Sequence, residues 1–324
     1  MQDKVLCSIS TRGRYFTTLP LAISAVIQQT RRVDKLVIFD DNDDAQDLRS
    51  DPVYAQLFQM LEIKGIAWEW LWADKKGQHH NHQSANTMGW TWVWRVDDDN
   101  IPEPTVLETL LAWTNDRVGA VGGAVLTPPL QFENIKVTGS IDRIYDEPNI
   151  QWATITHCQS VDHLHCSFLY RAGQHDYNLG LSRVAHREET LFTYGLKQRG
   201  YEILAVPDAV TWHLKSPSGG IRSEDNHELY QQDEEIFRNT LYLRHHTIVV
   251  LNNGMGDHLV FKRVLPDIDN PVVFSCYPEI VPGRSIREAK DLFGDIEQFN
   301  IYRKMDQWKW TASLEDAYRK LYCR

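Results

Sequence analysis

The stretch Trp92-Val93-Trp94-Arg95-Val96-Asp97-Asp98-Asp99-Asn100-Ile101-Pro102-Glu103-Pro104 constrains the fold of this chain more than any other. Trp92, Val93, Trp94 and Val96 are aromatic or β-branched and read as a buried strand. Three carboxylates end the run, and Pro102 and Pro104 then break it. Adjacent anions repel one another, so a strand end of this kind is costly unless something positive sits there. Alternate strand residues point the same way, so Asp97 and Asp99 are expected to share a site while Asp98 turns elsewhere. Oxygen ligands at that spacing suit Mg²⁺ or Mn²⁺, with a phosphate completing the shell. A solvated acidic turn before a helix starting near Pro104 is the plainer reading of the same residues.

The surroundings decide between the two. A short apolar run over residues 4–9 is followed by the polar turn Ser10-Thr11-Arg12-Gly13-Arg14. Leu19, Ile23, Val26 and Ile27 then recur at helical spacing. A second run, Leu36-Val37-Ile38-Phe39, stops at Asp40-Asp41-Asn42-Asp43-Asp44. Helix is expected over 53–63, strand over 66–72 and helix over 79–88, before the strand at Trp92. Strands alternating with helices predict an open, mostly parallel sheet, and such sheets bind ligands beyond the carboxyl ends of their strands. Thr11, Asp40, Asp41 and Asp97 to Asp99 therefore fall on one rim, which favours the metal reading.

Further along, helix is expected over 105–114 and a strand over 118–126, whose Gly119, Gly122 and Gly123 mark a close approach of ligand or backbone. Residues 130–160 read as a β-rich excursion, 161–170 as a strand and 187–199 as a helix stopped by Gly200. A strand over 203–206 precedes Trp212-His213, the loop Ser216-Pro217-Ser218-Gly219-Gly220, and a polar helix over 225–243. His157, Cys158, His163, His165 and Cys166 offer soft ligands at spacings that fit no usual zinc pattern. Trp68, Trp70 and Trp72 alternate on one strand face and read as core.

Composition narrows the class. The net charge of −10 disfavours a surface built chiefly for nucleic acid. No apolar run approaches the ~20 residues that span a bilayer. Five scattered cysteines lack any C-x-x-C pair, and the start of the chain has no apolar signal region, so a cytoplasmic protein with reduced thiols is expected.

In order and spacing these motifs resemble the inverting family-2 glycosyltransferases of the GT-A fold, across residues 4–245. The resemblance implies a GT-A α/β fold, a Rossmann-like mostly parallel mixed sheet flanked by helices. Ser10-Thr11-Arg12 resembles the opening motif, and Asp40 and Asp41 match the nucleotide-contacting acids. Asn86 resembles the asparagine of the Ala-Arg-Asn signature, although Ser84-Ala85 departs from its usual form. Asp97-Asp98-Asp99 resembles the metal-binding Asp-x-Asp, with Asp97 and Asp98 also placed toward the nucleotide. Glu189 falls where the family has its catalytic acid, with Glu188 its competitor, and His213 resembles the late histidine of the metal site.

The chemistry asks for such groups independently of the family. A divalent cation, Mn²⁺ or Mg²⁺, neutralises a leaving diphosphate, with Asp99 and His213 as direct ligands and Asp97 as ligand or ribose contact. An attacking acceptor hydroxyl needs a carboxylate base; for Glu188 and Glu189 the alternative is a favourable interaction with the helix dipole. The loop over 216–222 reads equally as a plain surface loop or as one that closes over the donor, with Lys215 or Arg222 reaching phosphate. The expected partners are a nucleotide-diphosphate sugar, a UDP-sugar favoured, and a hydroxyl-bearing acceptor such as a glycan. A modified nucleobase in DNA as acceptor, a nucleotidyltransferase and a non-catalytic sugar-nucleotide-binding module are the rivals. Against the nucleotidyltransferase, Ser10-Thr11-Arg12-Gly13-Arg14 is a poor phosphate loop.

The tail departs from this pattern. Residues 246–324 are expected to form a small α/β appendage, with strands near 271–275 and 297–302 and helices near 285 and 313. Asn252-Asn253-Gly254-Met255-Gly256-Asp257 resembles the opening of the heptosyltransferase-like family-9 enzymes, but too few residues follow for a second transferase.

Overall fold

The computed structural model describes residues 4–128, 154–214, 226–245, 247–251, 255–268, 271–275 and 298–300. Lys215 and Arg222, residues 130–153 of the excursion expected over 130–160, and the helices expected near 285 and 313 lie outside the described residues. The chain divides into two compact units, Met1–Glu235 and Ile236–Arg324.

The first unit follows the expected alternation. Strand β1 (Val5–Thr11) leads to helix α1 (Leu19–Ile27), β2 (Lys35–Asp40), α2 (Pro52–Ile63), β3 (Ala67–Trp72), α3 (Gln78–Asn86) and β4 (Trp92–Arg95). There follow β5 (Asn100–Pro102), α4 (Val106–Ala112), β6 (Val118–Leu126), β7 (Gln159–Ser160), β8 (Phe168–Arg171), α5 (Glu188–Gln198) and β9 (Glu202–His213). The order across the sheet is β3-β2-β1-β4-β8-β6-β9-β5, with β7 also on β9. Strands β1 to β4 are mutually parallel, β6 and β9 run with them, and β8 and β5 run against them. The carboxyl ends at Thr11, Asp40, Trp72, Arg95 and His213 therefore share one rim.

The period of two along each strand builds a core on both faces. Val5, Cys7 and Ile9 of β1 pack with Leu19, Ile23 and Val26 of α1 and Leu57 and Phe58 of α2. Leu6, Val37 and Val93 face the other way, toward Ala85 of α3 and Phe192 and Leu196 of α5. Trp68 stacks on Phe58 with ring centroids 4.1 Å apart and Trp70 is buried, as expected of core. Trp72, at the rim, is 52% exposed and lies under Arg49. The glycines of β6 serve backbone packing: a Cβ on Gly123 would fall 1.8 Å from the carbonyl oxygen of Ala209, and one on Gly119 would fall 2.6 Å from Cβ of Tyr201.

Two expectations need correction. Residues 161–167 do not form a strand; only Phe168–Arg171 does. Cys166 has φ of 57°, a left-handed turn that ends any alternation of His163 and His165. The strand expected over 203–206 runs on to His213, across an irregularity where Asp208 takes φ of 64°. That extension carries His213 to the rim.

Helix α6 (His227–His245) crosses the boundary between the units. In the second unit β10 (Thr247–Leu251), α7 (Met255–Val264), β11 (Pro271–Ser275) and β12 (Gln298–Asn300) are described, and the three strands are parallel in that order. Among the described residues no helix is long and apolar enough to cross a membrane.

Candidate active site

Beyond Arg95 the chain leaves the strand, and Asp98 and Asp99 form a turn closed by Asn100 N–H on the carbonyl of Asp97 at 3.0 Å. A turn, not strand alternation, therefore aims the three carboxylates. Asp98 points into the end of β1, accepting from Thr11 Oγ1 at 2.8 Å and Arg12 N at 3.2 Å, with Arg14 Nη1 at 2.9 Å. The same Arg14 guanidinium reaches Asp99. Burial pushes the Asp98 carboxyl up to about 7, against the opposing pull of Arg14 and Thr11. Burial would raise Asp99 too, but the hydrogen bond and charge of His213, with Arg14, outweigh it and hold Asp99 below its usual range. His213 Nε2 lies 3.3 Å from Asp99 Oδ2, brought there by the pairing of Asn100 with His213 across β5 and β9.

Asp97 belongs to a different network. Arg95, wholly buried, donates to Asp97 Oδ1 from Nε at 3.2 Å and Nη2 at 2.9 Å, and its Nη1 lies 2.5 Å from Glu188 Oε1. Gln78 of α3 donates to the same Glu188 oxygen at 2.9 Å. Burial raises the Glu188 carboxyl, and Arg95 opposes that shift. Burial also raises Asp97, Arg95 lowers it, and the charges of Asp99 and Glu189 raise it further. Asp97 thus feels both Asp99 and Glu189. Glu189 lies beside His165, with Nδ1 to Oε1 at 3.5 Å, and Cys166 senses the charges of Asp97, Glu189 and Asp99. The two adjacent glutamates separate: Glu188 is 0% exposed on its arginine and Glu189 is 6% exposed at the histidine.

The second acidic pair separates in the same way. Asp40 accepts from Tyr15 Oη, from Trp70 Nε1 at 3.3 Å, and from Asn42 through N at 3.1 Å and Nδ2 at 2.7 Å. Both its oxygens are committed within the fold. Asp41 is buried, which raises its carboxyl against hydrogen bonds that include Asn81, and its Oδ1 meets no hydrogen-bond partner among the described residues. Asn81 also donates to Ser10 Oγ at 2.8 Å, and Arg12 donates to the Asp41 carbonyl at 2.5 Å.

Asn86 lies elsewhere. It ends α3, about 12 Å along the axis from Gln78 at 1.5 Å per residue, at the edge from which β4 starts. Its amide donates to the His175 carbonyl at 2.8 Å and accepts from Gly173 N at 2.8 Å. The helix meets the rim with its first turns instead: Gln78 touches Glu188, Asn81 touches Ser10, and His82 Nδ1 lies 3.1 Å from Ser8 Oγ. Sequence reasoning missed Arg95, Gln78 and Asn81. The signal available was Gly77, whose φ of 105°, and the Arg183 carbonyl oxygen only 2.6 Å from where a Cβ would stand, fix where α3 begins.

Among the described residues no three His, Cys, Asp or Glu side chains converge closely enough to enclose a metal ion. Asp99 and His213 offer one carboxylate and one imidazole in contact. That donor set fits a cation that takes its remaining oxygens from a diphosphate and water, as Mg²⁺ and Mn²⁺ do at nucleotide sites.

No family model and no curated protein matches the sequence. Solved structures match in fold. The crystal structure of GalNAc-T7 with UDP, GalNAc and Mn²⁺ is similar at a TM-score of 0.50 and 12% identity, over 65% of this chain and 43% of that one. The mannosyltransferase PcManGT from Pyrobaculum calidifontis in complex with GDP-Man and Mn²⁺ gives 0.47 and 13%, over 67% and 58%. S. aureus TarS 1-349 in complex with UDP gives 0.46 and 14%, over 74% and 70%. The chain spans less than half the length of the first of these. With the sheet order above, the first likeness establishes the GT-A fold.

Proposed function

We propose that the chain is an inverting glycosyltransferase of the family-2 type, moving a sugar from a nucleotide-diphosphate sugar to an acceptor hydroxyl, as on a glycan. The carrying observation is that two kinds of acid meet at one rim: the Asp99–His213 pair, and Glu189 on a separate helix, with Asp97 sensing both Asp99 and Glu189. A cation held by Asp99 and His213 would supply Lewis-acid neutralisation of the departing diphosphate.

The chain's own residues do the rest. Asp41 Oδ1 is a buried acceptor awaiting a donor, which suits an imide N–H on the nucleobase edge and favours a UDP-sugar over one whose base offers only an acceptor there. Arg95 occupies one oxygen of Asp97 and directs its charge. Glu189, nearly excluded from water, accepts the acceptor's proton, and Glu188 is held back by Arg95. Attack opposite the departing diphosphate inverts the anomeric centre. The parallel β10–α7–β11 order of the second unit supports reading the tail as a small α/β appendage, which we assign to docking or to acceptor binding.

Titration of UDP with and without Mn²⁺ tests the donor site: equal affinity in EDTA overturns the metal. A hydrolysis screen over UDP-, GDP- and dTDP-sugars tests the reaction, and turnover of none overturns the transferase.

A further inference from the structure

The loop that launches α5 is an improbable piece of backbone. Ala185 has φ of 53° and Arg187 has φ of 65°, two non-glycine residues in the left-handed region within the three before Glu188. Such conformations persist only where surrounding contacts over-determine them. Those contacts come from α6. Asp233 is wholly buried; its Oδ1 accepts from Ser182 N at 2.6 Å, and its Oδ2 accepts from Ser182 Oγ at 2.9 Å and His186 N at 2.9 Å. Next to it, Glu234 Oε2 lies 2.8 Å from His186 Nε2 and 3.5 Å from Arg187 Nε. One turn earlier, Tyr230 stacks on the His186 ring at 3.7 Å between centroids.

Three donors of one loop, two from Ser182 and one from His186, are thus gathered on one carboxylate, and His186 lies three residues before Glu189. Among the described residues the hydrogen bonds of Asp233 go to Ser182 and His186, neither of them assigned to the donor site. We propose that Asp233 is a positioning residue: it holds the left-handed loop over 182–187, and so sets where the first turn of α5 places Glu189. This rests on the reading of Glu189 as the base. Small displacements of a catalytic group are costly, since a shift of about 1 Å can lose ~10²-fold in rate.

The test is Asp233→Asn. The amide keeps the shape but turns one accepting oxygen into a donor facing another N–H, so the loop must shift. UDP titration counts folded donor sites, and single-turnover transfer is expressed per site, so a smaller folded fraction cannot mimic the effect. The expected result is a kcat per site lower by ~10–10²-fold, with UDP affinity and donor KM unchanged. Amide exchange over 182–190 is expected to be slow in the native chain and to quicken in the variant. If Asp233→Asn does not fold, Ser182→Ala keeps the backbone bonds to Asp233 while removing the hydroxyl's contacts with Asp233, the Leu229 carbonyl and Val184 N, and should show the same split with a smaller loss. Full transfer per site in either folded variant overturns the proposal, as does fast native exchange at His186. A native chain that transfers from no donor overturns the transferase reading itself, and is recognised before any variant is made.

Discussion

The two sides of the rim treat their acids differently. On the β1–β2 side the carboxylates are absorbed mainly by neutral donors: Asp40 by Tyr15, Trp70 and Asn42, Asp98 by Thr11 and the Arg12 backbone, with the half-buried Arg14 beside it. On the β4–α5 side a buried arginine faces Asp97 and Glu188, and Glu189 lies beside His165. The first side is a lattice that fixes loops and leaves one oxygen, Asp41 Oδ1, for a ligand. The second is an arginine-centred brace joining β4, α3 and α5. The lesson is that neighbouring acids are assigned opposite work by the direction in which a turn or helix start points them.

Removing the brace should cost most. Arg95→Leu leaves Glu188 and Asp97 buried without their cation, and a loss of ~3–5 kcal/mol in denaturant unfolding is expected for breaking one side of a buried pair. Arg95→Leu with Glu188→Leu should recover much of it; no recovery would mean that Arg95 acts mainly through Asp97.

A pH effect of comparable size belongs to α3. Burial lowers His79 to about 4 from 6.5. The unfolded chain therefore takes this proton below pH 6.5 while the folded chain resists until about pH 4, so stability falls as pH falls through that window. The difference corresponds to about 3 kcal/mol for this residue. His79→Phe should flatten the decline between pH 6.5 and 4, and an unchanged slope would place the effect on other groups.

The paired aspartates sharpen the contrast within the first side. Asp40→Asn should cost ~1–3 kcal/mol of stability, as expected for a buried acceptor that loses donors. Asp41→Asn should leave stability near native and weaken UDP in calorimetry. The reverse pattern would exchange their roles. Smallest is Asn86→Ala, expected to cost ~1 kcal/mol by removing its bonds to His175 and Gly173, with UDP affinity unchanged. A loss of UDP affinity would restore it to the donor site.

Much of this was legible in the sequence. The periods of two and 3.6 in residues 4–126 gave strands and helices nearly at their true limits, because packing on both faces of the sheet enforces them. The rim followed from strand direction. What was hidden depended on turns. Arg95 sits inside an apolar run and reads as strand surface, yet it is 0% exposed. His163 and His165 imitate strand alternation, and nothing local announces the left-handed Cys166 between them and β8. Asn86 carried a family-like phrase, but Asn81, five residues earlier, is the asparagine that reaches the rim. Whether Glu188 or Glu189 forms the ion pair with Arg95 depends on which way the helix start faces, which spacing alone does not encode.

The division of labour across the rim rests on Glu189 acting on the acceptor and not on the nucleotide. Single-turnover transfer by Glu189→Gln, measured beside UDP affinity on the same preparation, tests this most directly. Transfer should fall by ~10²–10⁴-fold, the range for lost general acid–base help, with UDP affinity unchanged. A mild loss of transfer, or a parallel loss of UDP affinity, would contradict it.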